Sequence, residues 1–397
     1  MEKYYFCSNN EQTLNHLESL KKNNCQVAIY SSGHIGRQIK ELLESKHIAV
    51  SCFINGKFRV QSGFCDGIPI LDDQTFTAKY PITTLVINCE NHTDCFPFIK
   101  NKIIPWYELY YGKIFSYQDL LEIDPETWCL YKSNERLKQL NLNVNKLLSF
   151  FYINVCITQK CNLKCKYCSH LIPMFDKPIH YETRKILQSV KVFLEAVDYI
   201  HRLGILGGEP FLHPELSNII MELLHLKKIG FIEILTNGTY LPSDTVLENL
   251  SNERILIRIS DYGISPKKIQ KFVSKLTEHK ILYQVYKEHS WHDYGLTNIP
   301  YRRNEAQLKD IFQACSSSGC YQIKNGKLYH CAYSGSIEEL GLKGYPKIPA
   351  INLLSGETIN NMRFKIRHLM KLNYISICDY CNGDKGNFVR PGLQIKE

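Results

Sequence analysis

The sequence predicts an α/β protein built around a partial (β/α) barrel of five or six parallel strands. A doubly wound domain is expected before the barrel, and a small cysteine-rich domain after it. The chain has 397 residues, which is too long for one ordinary hydrophobic core. Strand and helix patterns alternate in two separate series, and the end of the chain breaks that alternation. We place the domains at 1–115, 151–300 and 301–397, with a connector at 116–150.

The first series lies near the N-terminus. Short apolar strands are expected at 26–30, 50–54 and 84–88, and apolar residues recur at helical spacing between the first two. This alternation predicts a small Rossmann-like domain.

The second series forms the predicted barrel. Its strands are expected at 151–158, 202–206, 231–236, 255–260 and 281–286. Helical patterns separate them, which implies parallel strands joined by right-handed crossovers. The active sites of such barrels lie at the carboxyl ends of the strands.

Composition and charge narrow the function classes. The formal charge is +9, but the basic residues are spread along the chain, which predicts a solvated surface rather than a nucleic-acid-binding patch. The charge is compatible with a mild attraction for phosphorylated substrates. We find neither an apolar run long enough to span a membrane nor a secretory signal, and therefore expect a cytoplasmic protein with no membrane partner.

Half of the sixteen cysteines fall into two groups. Clustered cysteines in a chain without a secretory signal indicate metal ligands rather than disulfides. The groups are Cys161, Cys165 and Cys168, and then Cys315, Cys320, Cys331, Cys378 and Cys381.

The first group lies on a short loop after the first barrel strand. Three thiolates on such a loop can hold three corners of a [4Fe–4S] cubane, which leaves the fourth iron open for a substrate or cofactor. A zinc ion would take a fourth protein ligand, and His170 is available, so zinc remains the alternative.

The spacing Cys-x3-Cys-x2-Cys, with an aromatic residue before the last cysteine, resembles the signature of the radical S-adenosylmethionine superfamily. The run Gly207-Gly208-Glu209-Pro210 ends the second barrel strand and is similar to the GGEP motif of that family. By resemblance, its backbone holds the amino group of the methionine moiety, and Tyr167 lies against the adenine.

Two more strand ends extend the resemblance. Thr236-Asn237-Gly238 is similar to a turn that such proteins often carry, with an ordinary turn as the alternative. Arg258 and Ser260 lie two residues apart on one strand and therefore share a face. If that face is the barrel interior, they hold the ribose or the methionine carboxylate; the alternative for Arg258 is a buried ion pair.

The resemblance implies a reaction and its cofactors. A reduced [4Fe–4S] cluster donates one electron to S-adenosylmethionine, which yields methionine and a 5′-deoxyadenosyl radical. That radical abstracts a hydrogen atom from the substrate, while the protein orients the partners and excludes water. An electron donor such as flavodoxin or ferredoxin is implied.

The second cysteine group surrounds a predicted hairpin at 321–329, centred on Asn-Gly. Its pattern resembles the SPASM and twitch extensions of the same superfamily, which bind auxiliary [4Fe–4S] clusters. No cysteine follows Cys381, which matches one auxiliary cluster and a twitch-type domain. The spacing favours Cys315 and Cys331 as ligands. It does not assign Cys320, which remains a candidate. A structural zinc site is the alternative.

The twitch enzymes most similar in pattern act on sugars and aminocyclitols. After the last barrel strand, His289, His292 and Asp293 are candidates to accept a hydroxyl proton. The alternative is a surface loop with one core tryptophan.

The N-terminal turn Ser31-x-Gly33-x-x-Gly36 is a degraded dinucleotide fingerprint, and Asn55 stands where an acidic residue usually binds ribose. The run 66–71 resembles the nucleotide-sugar-binding domain of bacterial sugar O-acyltransferases. A sugar-nucleotide docking role follows as a hypothesis, with a packing or protein-contact domain as the alternative.

These features predict a radical S-adenosylmethionine oxidoreductase with one auxiliary cluster. Our first expectation is oxidation of a secondary alcohol on a sugar, nucleotide sugar or aminocyclitol. The alternatives, in order, are redox-neutral dehydration or epimerisation of a sugar, peptide modification, tRNA modification, and a non-catalytic metal-binding scaffold.

Overall fold

The computed structural model of this protein describes residues 147–395 without a gap. Before residue 147 it describes shorter stretches, namely 26–30, 40, 43–44, 47–54, 63–65, 67–80, 84–88, 103–105, 129, 132–133, 136–137 and 139–140. The chain divides into two compact units, Met1–Ser116 and Tyr117–Glu397.

The described part of the first unit is a six-stranded sheet with the strand order β3-β4-β2-β1-β5-β6. Neighbouring strands are parallel except for β3 and β4. The strands are β1 (Val27–Tyr30), β2 (Val50–Ile54), β3 (Gly63–Cys65), β4 (Ile68–Leu71), β5 (Leu85–Asn88) and β6 (Ile103–Pro105). Helix α1 (Asp73–Lys79) begins after Asp72, whose carboxylate accepts a hydrogen bond from the Thr75 N–H at 2.8 Å.

The three strands predicted for this unit are present as β1, β2 and β5. Because β1 lies between β2 and β5, the strand order reverses there, and doubly wound sheets bind ligands at such a point. Ser31, Gly33, Gly36, Asn55 and Asp66 lie outside the described residues. The Rossmann-like interpretation therefore stays a prediction.

The second unit contains an eight-stranded sheet with the order β11-β10-β9-β8-β7-β13-β14-β15. Strands β7 to β11 are parallel and follow one another in chain order, with a helix in each connection. The elements are β7 (Ser149–Thr158), α2 (Thr183–Ala196), β8 (Tyr199–Gly207), α3 (Leu216–Leu224), β9 (Ile229–Thr236), α4 (Asp244–Asn249), β10 (Ile255–Asp261), α5 (Pro266–Glu278) and β11 (Leu282–Lys287). This largely parallel sheet with intervening helices agrees with the partial barrel that the sequence predicts.

One boundary differs from the sequence pattern. Helix α2 ends at Ala196, and the strand expected at 202–206 already begins at Tyr199. Asp198 accounts for the difference, because its carboxylate accepts the Leu148 N–H at 2.7 Å and fixes the chain between helix and strand.

Alternate residues of β7 to β10 divide the sheet into an apolar and a polar face. The apolar face packs in one core with the helices, through residues such as Ile153, Ile205 and Ile234. We call the opposite face the inner face; its residues include Tyr152, Asn154, Arg202, Gly204, Glu233, Arg258 and Ser260.

The residues after 300 extend the same sheet. A hairpin of β13 (Gln322–Lys324) and β14 (Lys327–Tyr329) turns at Asn325-Gly326, where φ is 49° and 87°. Strand β13 pairs in parallel with β7, so the sheet continues across the predicted boundary. The remaining elements are β12 (Trp291–His292), α6 (Glu305–Ala314), α7 (Ala332–Leu340), β15 (Ala350–Asn352), α8 (Ile359–Met370) and β16 (Phe388–Val389). None of the described helices has the length and apolar character of a membrane span.

Candidate functional site

Three thiols lie on the loop that follows the carboxyl end of β7. Cys161, Cys165 and Cys168 are free, and burial raises the pKa of each, that of Cys161 to about 12. Without a metal these groups are therefore protonated at neutral pH, and a metal that binds them releases protons.

Two side-chain amides donate hydrogen bonds to these sulfurs. Gln394 Nε2 lies 3.3 Å from Cys165 Sγ, and Asn237 Nδ2 lies 3.8 Å from Cys161 Sγ. Such donors stabilise thiolate charge and tune a cluster held by the thiolates. Soft sulfur ligands with N–H donors around them fit an iron–sulfur cluster.

The arrangement of these thiols also bears on the zinc alternative. Within residues 147–395 and the shorter described stretches, no three Cys, His, Asp or Glu side chains gather as ligands of one metal ion. Zinc collects its ligands on one ion, whereas a cubane takes each thiolate on a different iron. His170 Nδ1 lies 3.9 Å from Cys156 Sγ, and zinc remains the alternative to the cluster.

Residues 393–395 pair with the cysteine loop through backbone hydrogen bonds. Lys166 N–H donates to the Leu393 carbonyl and Ile395 N–H to the Lys164 carbonyl, both at 2.8 Å, so Gln394 pairs with Cys165 as in an antiparallel ladder. Sequence reasoning missed Gln394, because a contact between segments so distant in the chain leaves no local pattern.

The glycines of the Gly-Gly-Glu-Pro run pack against the end of β7. Gly208 N–H donates to the Thr158 carbonyl and Glu209 N–H to the Lys160 carbonyl, both at 2.8 Å. A Cβ on Gly208 would lie 2.1 Å from the Lys160 oxygen, and Gly207 has φ +140°, so both positions require glycine. These two backbone N–H groups already have acceptors. A ligand amino group at this position would therefore donate to backbone carbonyl oxygens.

Glu209 joins the ends of β8 and β9. Its fully buried carboxyl accepts hydrogen bonds from Thr236 Oγ1 at 2.8 Å and from Asn237 N–H at 2.9 Å. Asn237 Nδ2 also donates to Asn162 Oδ1 in the cysteine loop at 3.0 Å. Thr236 and Asn237 are thus more than an isolated turn, because they connect two strand ends to the loop. Pro210 begins the short 3-10 turn that follows.

Arg258 and Ser260 share the inner face. Arg258 Nη1 is 3.7 Å from Glu233 Oε1, and its guanidinium stacks 4.0 Å from the Tyr286 ring centroid. Ser260 Oγ is 3.4 Å from Glu288 Oε1. Arg258 therefore takes part in the buried ion pair named as its alternative, and contacts of either residue with a cofactor stay predictions.

Tyr167 lies half-buried in the cysteine loop, with the Lys166 ammonium 5.2 Å from its ring centroid. Its predicted contact with an adenine remains a prediction.

The second cysteine group consists of five free thiols near the hairpin. Burial, and then the neighbouring Cys331, raises the pKa of Cys320 and of Cys381 to about 11 each. Cys331 and Cys381 also lie close enough to Cys315 and Cys378 to raise their pKa further. Cys331 thus raises the pKa of each of the other four thiols, and both Cys315 and Cys320 remain candidate ligands.

Sequence reasoning also missed Arg303, which holds the turn between Cys378 and Cys381. Its guanidinium donates to the carbonyls of these two cysteines at 2.9 and 2.8 Å. Its backbone N–H donates to Asp379 Oδ1 at 2.8 Å. No motif marks a lone arginine so far from the turn it stabilises.

Side chains connect the two thiol groups across β7 and β13. Cys156 Sγ donates to Gln322 Oε1 at 3.1 Å, and Gln322 Nε2 donates to the Cys331 carbonyl at 2.8 Å. Since Cys156 also contacts His170 in the cysteine loop, the chain of contacts spans both groups.

Two of the candidate proton acceptors, His292 and Asp293, lie in and directly after a separate two-stranded ladder. His292 Nδ1 is 3.2 Å from the Gly386 carbonyl, and its ring packs on Phe388. The Asp293 carboxylate accepts the Gly295 N–H at 3.0 Å, and His289 is exposed. The contacts of His292 and Asp293 are those of a structural turn, and a catalytic role for the three residues stays a prediction.

Residues 155–289 match the family described as the Radical SAM superfamily. Molybdenum cofactor biosynthesis protein 1 of Bos taurus is 31% identical over 140 residues, which cover 34% of this chain and 21% of that protein. GTP 3′,8-cyclase of Clostridium acetobutylicum is 39% identical over 94 residues, which cover 23% of this chain and 28% of that protein. The chain thus spans far less than two thirds of the length of these curated relatives.

Among solved structures, BtrN in complex with AdoMet and 2-DOIA is 17% identical, with 62% of this chain and 97% of that chain covered and a TM-score of 0.37. The structure of anSMEcpe with bound AdoMet is 22% identical, with 34% and 43% covered and a TM-score of 0.28. These scores are low, and the family match is the informative comparison. The stretch from residue 155 to residue 289 is accordingly similar to the radical SAM superfamily, whose members use a [4Fe–4S] cluster and S-adenosylmethionine.

Proposed function

We propose that this chain is a radical S-adenosylmethionine enzyme that oxidises a secondary alcohol of a sugar, nucleotide sugar or aminocyclitol. One observation carries the proposal: three free thiols lie at the carboxyl end of β7, next to the strand ends joined by Glu209. Barrels of this kind hold their active sites at that end.

The loop thiols have a defined task in this proposal. Cys161, Cys165 and Cys168 hold three irons of the cluster, and Gln394 and Asn237 donate to the sulfurs. When bound, the cluster and S-adenosylmethionine supply a radical that takes a hydrogen atom from the substrate. The chain itself orients the cofactor through the Gly207-Gly208 backbone.

Oxidation of an alcohol also needs an acceptor for one proton and one further electron. His289, His292 and Asp293 remain the candidates for the proton. The five thiols around Cys331 offer a place for an auxiliary [4Fe–4S] cluster, which would take the electron. Contacts through Cys156 and Gln322 between the two thiol groups support this assignment.

The N-terminal unit has a docking role in the proposal. Its parallel sheet reverses strand order at β1, which supports binding of a nucleotide sugar at that point.

The central test is anaerobic reconstitution followed by iron counting and an assay for 5′-deoxyadenosine. We expect about eight irons per chain for two cubanes. Replacing Cys161, Cys165 and Cys168 with Ala should leave about four irons and abolish 5′-deoxyadenosine. Cys52→Ala is the control, since Cys52 is free and buried but belongs to neither group. Continued cleavage by the triple variant would contradict the proposal.

A substrate panel then separates the reaction classes. Nucleotide sugars, aminocyclitols and peptides are the main arms, and GTP is added because one relative is named GTP 3′,8-cyclase. A ketone product supports oxidation, whereas a product at the same oxidation level supports dehydration or epimerisation.

A further inference from the structure

The residues at 391–395, which we call the 391–395 segment, place one side chain against the middle thiol of the cysteine loop. Two backbone hydrogen bonds of 2.8 Å join the segment to the loop, one on either side of Cys165. Because side chains alternate along an extended ladder, Gln394 faces Cys165. Leu393 and Ile395 face away and are 39% and 44% exposed.

Gly392 fixes the path of this segment. Its φ is +63°, and a Cβ there would lie 2.7 Å from Tyr262 Cβ and 2.8 Å from Ile264 Cδ1. Both the backbone conformation and the close approach require glycine. The segment is therefore held by a specific fit, and the position of Gln394 is set before any metal binds.

The side-chain amide of Gln394 uses all of its polar hydrogens. Its Nε2 donates to Cys165 Sγ at 3.3 Å and to the Gly392 carbonyl at 2.6 Å. Its Oε1 accepts the Lys164 N–H at 2.7 Å. An amide nitrogen has two hydrogens, and both have acceptors here.

These partners also determine which way the amide points. The Lys164 N–H can only donate and the Gly392 carbonyl can only accept, so a rotated amide would lose both hydrogen bonds. Rotation would also place Oε1 against the sulfur. The Gln394 N–H is therefore fixed toward Cys165.

Asn237 is the other side-chain amide at the loop sulfurs, and its contact is weaker. Its Nδ2 lies 3.8 Å from Cys161 Sγ and donates to Asn162 Oδ1 at 3.0 Å. Its orientation thus satisfies another side chain. Of these two amides, Gln394 makes the shorter contact with a sulfur.

An N–H donor at a ligating sulfur affects the two redox states of a cluster unequally. Reduction adds negative charge to the cluster and its thiolates. A hydrogen bond to an ionised acceptor is about twice as strong as one between neutral groups, so the donor stabilises the reduced state more. Cys165 is buried, which leaves little water to replace the amide.

We infer that Gln394 is a positioning residue that fixes the Cys165 thiolate and makes a cluster at the loop easier to reduce. The inference rests on the cluster of the proposed function. It assigns control of the reduction potential to a residue outside the cysteine loop, and it holds for whichever substrate the enzyme takes.

A redox titration of the reconstituted protein, followed by electron paramagnetic resonance, tests this role without an activity assay. The titration is run without S-adenosylmethionine. The signal of the loop cluster is identified as the one that added S-adenosylmethionine perturbs, because that cofactor binds the open iron. The midpoint potential of this signal is then compared between variants with equal iron content.

Two variants change the donor in different ways. Gln394→Met removes it at similar length, and should lower the equilibrium constant for one-electron reduction at least three-fold, which is about 28 mV toward lower potential. Gln394→Glu keeps an oxygen for the Lys164 N–H but turns a second oxygen toward the sulfur, and should lower the potential at least as far. Gln270→Met, on the exposed surface of α5, is the matched control and should change nothing.

The outcomes separate a role in the potential from a role in folding or assembly. An unchanged or higher potential in either variant at full iron content would overturn the inference. Loss of the loop cluster from both variants would also overturn it, because Gln394 would then be needed for assembly. Either variant alone tests the potential if the other fails to fold.

Assays of the substrate reaction separate this inference from the proposed function. If the potential falls as expected but no alcohol is oxidised by the wild type, the proposed reaction fails and the role of Gln394 stands. If the wild type oxidises an alcohol and both variants keep its potential, the role of Gln394 fails and the proposed reaction stands.

Discussion

At the scale of single residues, Glu209 combines a structural and an electrostatic role. Its carboxyl joins the ends of two strands, yet it is fully buried. Burial raises its pKa from the usual 4.5 to about 7, although the hydrogen bonds from Asn237, Thr236 and Phe211 oppose this rise. The folded state therefore holds a proton on Glu209 that the unfolded chain loses near pH 4.5.

This difference makes stability depend on pH. The contribution of protonated Glu209 is fully present below pH 4.5 and is lost as the pH rises through about 7. The total change is about 3 kcal/mol in the free energy of unfolding. Urea denaturation of the iron-free protein between pH 4.5 and 8.5 measures it.

Glu209→Gln is the control for that measurement, because its amide does not titrate. The stability of the wild type should fall relative to the variant as the pH rises. Parallel pH profiles of the two proteins would show that Glu209 has an ordinary pKa.

Other single residues show which parts of the site a sequence can predict. The sequence predicts Cys161, Cys165 and Cys168 as ligands because their spacing is local. Gln394 was not found, because its contact with Cys165 depends on the path of the whole second unit. Glu233 was also missed, since one acid in an apolar strand carries no motif, and its partners come from neighbouring strands.

At the scale of elements, the turn from Cys378 to Cys381 depends on one arginine. Arg303→Ala removes the two hydrogen bonds from the guanidinium to the cysteine carbonyls. The turn should then lose its fixed geometry, and the auxiliary cluster should be lost. We expect iron to fall from about eight to about four per chain, while 5′-deoxyadenosine formation persists.

The neighbouring residue provides a matched control. Arg302 is exposed, so Arg302→Ala should retain the full iron content. A normal iron count in Arg303→Ala would mean that the turn holds its cysteines without the guanidinium.

The elements themselves were largely predictable, but one strand pairing was not. Strands β7 to β11 follow from apolar periodicity, and the hairpin follows from Asn325-Gly326, which adopts the left-handed turn that this pair favours. The pairing of β13 with β7 was missed, since parallel strands so far apart in sequence share no turn that would set their register.

At the scale of the whole second unit, a buried ion pair joins the hairpin to α7 and the barrel. Lys324 is 2% exposed, and its ammonium lies 3.1 Å from Glu339 Oε2. Glu339 also accepts hydrogen bonds from Tyr181 Oη at 2.6 Å and from Gln159 Nε2 at 3.1 Å, both in the barrel. The barrel and the residues after 300 should therefore unfold together.

A double-mutant cycle tests this cooperativity. Lys324→Met leaves a buried carboxylate without its cation and should cost about 3–5 kcal/mol. Combining it with Glu339→Gln should cost less than the sum of the single changes, because both members of the pair are then neutral. Urea unfolding followed by circular dichroism should show one transition for the unit, shifted to lower urea.

The hairpin and α7 also carry an exposed ion pair, which serves as the control. Lys327 and Glu338 lie 2.6 Å apart, but their side chains are 39% and 34% exposed. Water screens their attraction, so Lys327→Met should cost no more than about 1 kcal/mol. If Lys324→Met and Lys327→Met lower the free energy of unfolding equally, burial does not strengthen the Lys324–Glu339 pair. An early separate transition in Lys324→Met would show that the residues after 300 unfold independently of the barrel, against the continuous sheet through β13.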